Sequence, residues 1–468
     1  MYSNNKNSSN FPDPLAPVEE KQGVGYGLKY AKAIYQQWGK MDYQNSIYGT
    51  RRKVFDKNRR YANGTQDTTI YRSLLTSLDP NNGDGSMLNL DFTPVPILPK
   101  FVRIVVNKIL SLSPYPNLEA VDPISSSEKD KDQRKVEMLI SAKNQIKKIE
   151  EKTGVIIGMD SNAIPDTLEE AEIFIGNNIK SSSEIAAQIA TNLTLTWNEF
   201  NENILRRCVN DLAVLGMAVV KRDNDPQQGL KTSYVDPTCF IHSFTEDPNF
   251  SDLVYAGHVR QIPVQELKRV AGDQFTEEQY KEIVQKAKKK SGYDVGKIYE
   301  SSYDRTTKNS KFGYDDYMIE VLDFEFISVD CEFFESKESK YGNVGFYSKG
   351  QTYKAPKNSV FNREVMKLEN ASVYGGCYIL GTDFVFDYGK KTNIPKNIHD
   401  ISRTNLSYSV CATNILDMMP KSMVDSCIGF ADQLQLTHLK IQQAVAKAKP
   451  DGIIIDIEGL ENVQLGKG

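Results

Sequence analysis

The sequence predicts an α+β protein of several domains, with a β-rich segment set between helical regions. Three observations predict it. Apolar residues recur at helical spacing over long stretches that open on Ser or Pro and close on Pro or Gly. Strand-like segments separated by turn residues fill 317–386. At 468 residues and 40% hydrophobic, the chain has material for about two to four cores.

Charge narrows the function classes. Lys+Arg 57 against Asp+Glu 61 leaves a net charge of −4. A protein that grips nucleic acid does so with many Lys/Arg–phosphate contacts on a basic face, and this balance argues against one. It leaves room for a protein that surrounds DNA without holding it. The six cysteines (Cys208, Cys239, Cys331, Cys377, Cys411, Cys427) and four histidines (His242, His258, His399, His438) show no C-x-x-C or other zinc spacing. They read as reduced, mostly buried thiols. Met1–Asn10 has no apolar signal core. The longest apolar stretch, Leu212–Val220, is nine residues, against roughly 20 for a spanning helix, so no membrane contact is expected.

Taken in order, residues 1–27 are polar and rich in Asn, Pro and Gly, and read as an extended arm. Residues 28–60 are helical in pattern. They carry a basic cluster, Arg51, Arg52, Lys53, Lys57, Arg59 and Arg60, which reads as a solvated helix face or a contact for an acidic partner. Asp79–Gly85 is a turn without calcium-loop register, and Gly23–Gly27 follows no strand, which rules out a nucleotide loop. Pro96 and Pro99 lead into a helix whose Phe101, Val105 and Ile109, beside Val102 and Ile104, form a buried stripe. Ser125–Arg134 is a charged linker into a polar surface helix of about 18 residues.

Capping boxes stand at Thr167–Glu170 and Ser181–Glu184. The second opens a helix to about Val209 with Leu195, Trp197, Phe200, Ile204 and Leu205 as its core face. Strands follow at Ala213–Arg222, Thr232–Pro237 and Cys239–Phe244. Helices at 263–272 and 276–290 come next, the latter ending in a basic turn suited to the helix dipole. The strand module has segments Met318–Val329, Cys331–Phe334, Val344–Tyr347 and Tyr378–Phe386, and is expected to be discrete. The longest helix runs from about Lys421 to Ala448, opened by Pro420 and Ser422 and stopped by Pro450-Asp-Gly452. It spans roughly 40 Å. A buried strand, Ile453–Ile457, follows.

Catalytic chemistry finds little support. Asp456 and Glu458 share a strand face and could hold a divalent metal. A metal-dependent nuclease also needs a lysine two residues after the second acid, and Leu460 stands there. No G-x-S-x-G elbow and no Walker lysine loop is present. Neither an enzyme nor a cofactor is expected.

The order of parts resembles that of bacteriophage portal proteins, the head-to-tail connector rings, and is most like those of crAss-like phages. The stretches that carry it are Arg59-Arg-Tyr-Ala-Asn-Gly-Thr-Gln66, Pro94–Leu110, Phe200–Lys221, Tyr234-Val-Asp-Pro237, and the strand module leading to a long helix and Lys449–Ile455. Together they fall within 45–465. The resemblance implies a portal-type fold with a helical wing, a long stem helix and a β-rich clip insertion. Its divisions would be an arm over 1–40, a wing over 41–275, a first stem region and linker over 276–316, the clip over 317–400, a second stem region over 401–449, and the start of a post-stem strand and channel loop over 450–468.

It further implies a homo-dodecamer at the unique capsid vertex, assembled in the host bacterial cytoplasm. Its partners would be the major capsid protein, the terminase large subunit, head–tail adaptor proteins and double-stranded DNA in transit. The long helix near Leu434 would face the channel, with Lys440, Lys447 and Lys449 as DNA-channel candidates. Because portals continue past this point, the resemblance also implies an N-terminal part of a longer polypeptide. The alternatives are another phage ring or tail-hub component, a metal-dependent DNA-processing enzyme, or a free DNA-binding module.

Overall fold

A computed structural model describes residues 11–39, 47–78, 90–112, 116–120, 122–154, 170, 180–225, 229–290, 318–338, 342–349, 353, 363–392, 394, 396 and 403–447. The chain divides into a larger unit (1–109, 207–223 and 233–468) and a smaller one (110–206 and 224–232). The architecture is α+β with antiparallel sheets.

The larger unit is organised by one strand, β5 (Met318–Glu338). At about 3.3 Å per residue it is roughly 70 Å long. Its first half pairs with β4 (Tyr255–Pro263) from Tyr255↔Phe326 to Pro263↔Met318. Its second half pairs with β6 (Val344–Lys349). β7 (Arg363–Ile379) accompanies it from Val321↔Ile379 to Lys337↔Arg363. β3 (Phe240–His242) flanks β4, and β8 (Val385–Lys390) flanks the inner end of β7, which gives the order β3-β4-β5-β7-β8 with β6 on β5. The sequence suggests a discrete strand module, and the structure corrects this. The module's base continues the sheet of β4, and only the outer part, where β6, β5 and β7 pair, is a separate ribbon.

Strand alternation gives β5 two different faces. Leu322, Phe324 and Phe326 turn to one side, where α1 (Val18–Gln22) and α2 (Val24–Gly39) cover them. Tyr30 stacks on Phe326 with ring centroids 3.8 Å apart, and Phe11 meets Tyr30 edge-on at 5.2 Å. The Lys21 ammonium donates to the Val329 carbonyl at 3.0 Å, and the Tyr388 hydroxyl donates to the Lys21 carbonyl at 2.6 Å. The expected extended arm is thus a docked helical segment over 18–39. Gly25 and Gly27 weaken its helical signal, yet Gly27 is what admits the Tyr388 ring, because a Cβ there would collide with it.

Ile319 and Val321 turn to the other side, against Leu267 and Ala271 of α9 (Val264–Ala271) and Ile283 of α10 (Glu277–Lys290). These two helices fall where the sequence places them.

Three further helices belong to this unit: α3 (Ile47–Asn63), α4 (Thr69–Leu78) and α5 (Leu98–Leu110). On α5 the buried residues are Val102 and Val106, whereas Phe101, Ile104 and Ile109 are exposed. The helix is rotated about one residue from the expected stripe. A second sheet has the order β2-β1-β9, from β1 (Met217–Asp225), β2 (Gly229–Val235) and β9 (Tyr408–Ala412). The hairpin β10 (Ile415–Leu416) and β11 (Met419–Pro420) turns through Asp417 and Met418, both at positive φ.

In the smaller unit, α6 (Pro123–Thr153) runs for 31 residues and absorbs the charged linker. Glu, Lys, Gln and Arg are good helix formers, so a charged run need not break a helix. α7 (Ser182–Trp197) begins with the expected capping box, Ser181 with Glu184. It ends earlier than expected. The Asn198 amide donates to the Thr194 carbonyl at 2.8 Å and the Leu230 carbonyl at 3.0 Å, and its oxygen accepts from Thr232 N–H at 2.9 Å. Glu199 turns left-handed, and a π-turn over Phe200–Ile204 leads into α8 (Leu205–Val214). Trp197, expected in the core, is 76% exposed. The strand expected from Ala213 starts at Met217, after Gly216 ends α8 at φ 78°.

Replacing Gly27 with Ala will force α2 from Tyr388 and destabilise the protein by about 1–3 kcal/mol. Gly25→Ala, with open space around it, will be neutral or slightly stabilising. Urea denaturation of the two variants checks this, and equal midpoints would contradict the docking described.

Candidate functional site: the long helix, the ribbon and the buried charges

The long helix α11 (Met423–Lys447) is capped as the sequence suggests. The Ser422 hydroxyl accepts Asp425 N–H at 3.0 Å and the Asn58 amide at 3.1 Å. Its inner face is held by specific polar contacts. One carboxylate oxygen of Asp432 accepts from the Tyr61 hydroxyl at 2.6 Å and the Tyr71 hydroxyl at 2.7 Å. Burial, then that bond, pushes Tyr61 up to about 12. The Gln435 oxygen accepts Val95 N–H at 2.8 Å, and the Gln442 oxygen accepts Asp91 N–H at 3.0 Å. Leu439 packs with Tyr71 and Leu75 beneath Leu90, Phe92 and Leu436. One side of α11 is therefore tied to α3, α4 and the 90–95 segment.

The opposite side is apolar and uncovered. Phe430 is 75% exposed, Leu434 42%, Ile441 57% and Val445 69%. With Cys427, Thr437 and Ala444, the positions 427, 430, 434, 437, 441 and 444 alternate spacings of three and four, the pattern of a helix-packing seam. No charge interrupts it. Lys440 lies to its flank, half-buried, and donates to the Gln443 oxygen at 3.3 Å. Lys447 is the last residue of the helix, and Lys449, like Asp456 and Glu458, lies outside the described residues. So do the Asp79–Gly85 turn, most of the Thr167–Glu170 box and the Ile453–Ile457 strand. The sequence reading singled out the lysines and missed the seam, although its three-four spacing was there to count.

The ribbon has two open edges among the described residues. β6 pairs with β5 alone, and residues 363–370 of β7 pair only with β5, since β8 reaches no farther out than Tyr374. Val344, Phe346 and Tyr347 on β6, and Val365, Met366 and Leu368 on β7, are exposed.

The basic cluster on α3 is a solvated face only in part. Arg51 is buried, bonded to His242 Nε2 and, at 2.9 Å, to the Phe240 carbonyl. Arg59 clasps Asp236 with two bonds, at 2.8 and 3.2 Å. Arg51 thus holds β3, and Arg59 holds the turn that carries Tyr234-Val-Asp-Pro237, while Lys53, Lys57 and Arg60 face solvent.

A buried ionic cluster joins β1, β4, β5, β7 and β9. Asp323 Oδ2 lies 2.9 Å from Arg260 Nε and 3.3 Å from Lys221 Nζ. The Tyr408 hydroxyl donates to the Asp323 carbonyl at 3.3 Å and lies 2.8 Å from His258 Nδ1. Burial pushes His258 down to about 3, so it is neutral. The Cys377 thiol donates to Asp323, and burial together with that carboxylate holds it well above the ordinary thiol range. A nucleophilic thiolate needs the reverse: access, and a cation that lowers its pKa. The cluster serves to fix strand register.

The chain matches no known protein-family model, and no curated protein matches it significantly. Among the described residues, no group of His, Cys, Asp or Glu is arranged to hold a metal ion, and no helix is long and apolar enough to cross a membrane.

The two buried histidines give the fold an acid dependence. His242 is also pushed down to about 3, by burial and by Arg51. Between that value and the unfolded value near 6.5, the unfolded chain binds more protons, so stability is complete above about pH 6.5 and falls as pH drops. Each histidine contributes up to about 1.4 kcal/mol per pH unit in that window. Denaturant midpoints will fall between pH 7 and pH 4.5, and a His242→Gln, His258→Gln double variant will show a shallower fall. A wild-type midpoint that does not move over that range would contradict the assignment.

Proposed function

We propose that the chain is the subunit of a phage portal, a dodecameric ring at one capsid vertex through which double-stranded DNA is packaged and ejected. The observation that carries this reading is the division of α11 into a firmly tied inner face and an uncovered apolar seam. A stripe of Phe430, Leu434, Ile441 and Val445 that stays in water is costly, at roughly 25 cal/mol per Å² of apolar area. Association with further copies removes it from water.

The seam also changes the expected role of the helix. An apolar stripe is a poor wall for phosphates and a good one for a neighbouring protein. In this reading the seam packs on the adjacent copy, and the flank bearing Gln433 and Lys440 turns to the channel. Twelve helices at 8–10 Å spacing enclose a bore of roughly 20–30 Å, enough for a duplex. A near-neutral wall suits transit, since each neutralised phosphate adds affinity. The β6-β5-β7 ribbon acts as the clip. Its open edges are suited to pairing between copies and to docking first the terminase large subunit and later the head–tail adaptor. The rim of the ring would meet the major capsid protein. The role requires neither catalysis nor a cofactor.

Another phage ring or tail-hub component would use the same seam and edges. Binding of the cognate terminase large subunit separates the two, because only a portal docks the packaging motor.

Leu434→Asp and Ile441→Asp will convert rings to monomers with unchanged circular dichroism, measured by sedimentation. Rings that survive both substitutions would remove the seam from the interface. Replacing Lys440, Lys447 and Lys449 together with Gln will leave rings intact and change DNA packaging or retention. Loss of assembly in that variant would make the lysines interface residues instead.

A further inference from the structure

A cleft of about 550 Å³ opens in the larger unit, away from α11. Its walls are the end of α3 (Arg59, Asn63), the start of α5 (Pro99, Arg103), α8 (Arg207, Asn210, Asp211) and the Tyr234–Asp236 turn. We propose that this cleft is a binding site for a phosphate-bearing small molecule, held between Arg103 and Arg207. The inference is independent of the portal reading.

The charges in the cleft separate into two sets. The first is internally satisfied. Asp236 is clasped by Arg59 and also accepts Thr238 N–H at 2.9 Å and the Thr238 hydroxyl at 2.7 Å. Asp211 accepts from the Tyr234 hydroxyl and lies 3.8 Å from Arg59. Burial lifts Asp211 to about 6, against the opposing pull of Arg59 and, more weakly, Arg207.

The second set is Arg103 and Arg207. Both are exposed, and among the described residues neither forms an ion pair with a carboxylate. Arg207 is nonetheless positioned, because its guanidinium lies over the Tyr234 ring at 5.4 Å. Stacking occupies the face of a guanidinium and leaves its N–H edge available.

The donor set selects the ligand class. Two guanidiniums on different helices, with the exposed amides of Asn63 and Asn210 beside them, offer more N–H donors than a single carboxylate can accept. A phosphate or diphosphate has the oxygens and the charge to meet them. The volume is that of a small-molecule site, too small to admit a duplex. Pro99 and Val102 of α5 and Val214 of α8 supply an apolar wall for the organic part of such a molecule.

Pyrophosphate is the probe, titrated into the full-length protein at fixed ionic strength and followed by calorimetry and by thermal midpoint, with citrate as the polycarboxylate comparison. Binding at one site per chain is expected, with a raised midpoint. Arg103→Gln and Arg207→Gln will each weaken binding at least about tenfold, and Lys268→Gln, an exposed lysine on α9, will bind like the parent. Should Arg207→Gln lower stability by losing its stacking on Tyr234, Arg103→Gln still decides, since its side chain has no such contact to lose. The proposal is overturned by absence of pyrophosphate binding, by binding that both arginine variants retain, or by citrate binding as tightly through the same arginines.

Discussion

The buried carboxylate of Asp323 is the constraint on which the larger unit depends. It sits between Lys221 of β1 and Arg260 of β4, both within 3.3 Å, with Cys377 of β7 bonded to it. A buried charge is tolerable only when paired, and removing one partner of such a pair costs about 3–5 kcal/mol. Sliding β5 by one residue would move every side chain to the opposite face. Asp323 would then leave Lys221 and Arg260 and enter the aromatic layer of Tyr30, Phe326 and Tyr374. The ion cluster thus fixes the register of a strand that is core sheet at one end and projecting ribbon at the other.

A similar economy governs α11. Asp432, Gln435 and Gln442 on its inner side bond to Tyr61 of α3, Tyr71 of α4 and the backbone of the 90–95 segment. Directional bonds of this kind fix the rotation of the helix about its axis, which apolar packing alone does loosely. Fixed rotation is what keeps Phe430, Leu434, Ile441 and Val445 together on the outer side. The polar tie and the apolar seam are therefore parts of one arrangement, and an assembly built on the seam inherits its geometry from the tie.

Much of the fold was legible in the sequence where local chemistry decides it. Ser422 and the Ser181–Glu184 box mark real helix starts, and α9 and α10 stand where their periodicity puts them. The failures share a cause, which is partners distant in sequence. β4 carries Gly257, His258 and Arg260 and lacks strand alternation, because its polar residues turn to Asp323, His258 buried and Arg260 half-buried. The break after Trp197 depends on Asn198 bonding to Leu230 and Thr232, more than thirty residues on. α2 looks too rich in glycine for a helix until Tyr388 is placed against Gly27. At the candidate site, counting charges drew attention to Lys440; the seam's spacing is in the sequence, but that it faces outward follows only from the buried side of α11.

Imaging the purified full-length protein by electron cryomicroscopy tests the central claim most directly. The account predicts closed circles of identical subunits around an open bore, with α11 beside that bore and its Phe430–Val445 stripe against the next copy. Isolated single subunits at every concentration, or circles in which that stripe touches neither a neighbour nor the region of the hole, would contradict it.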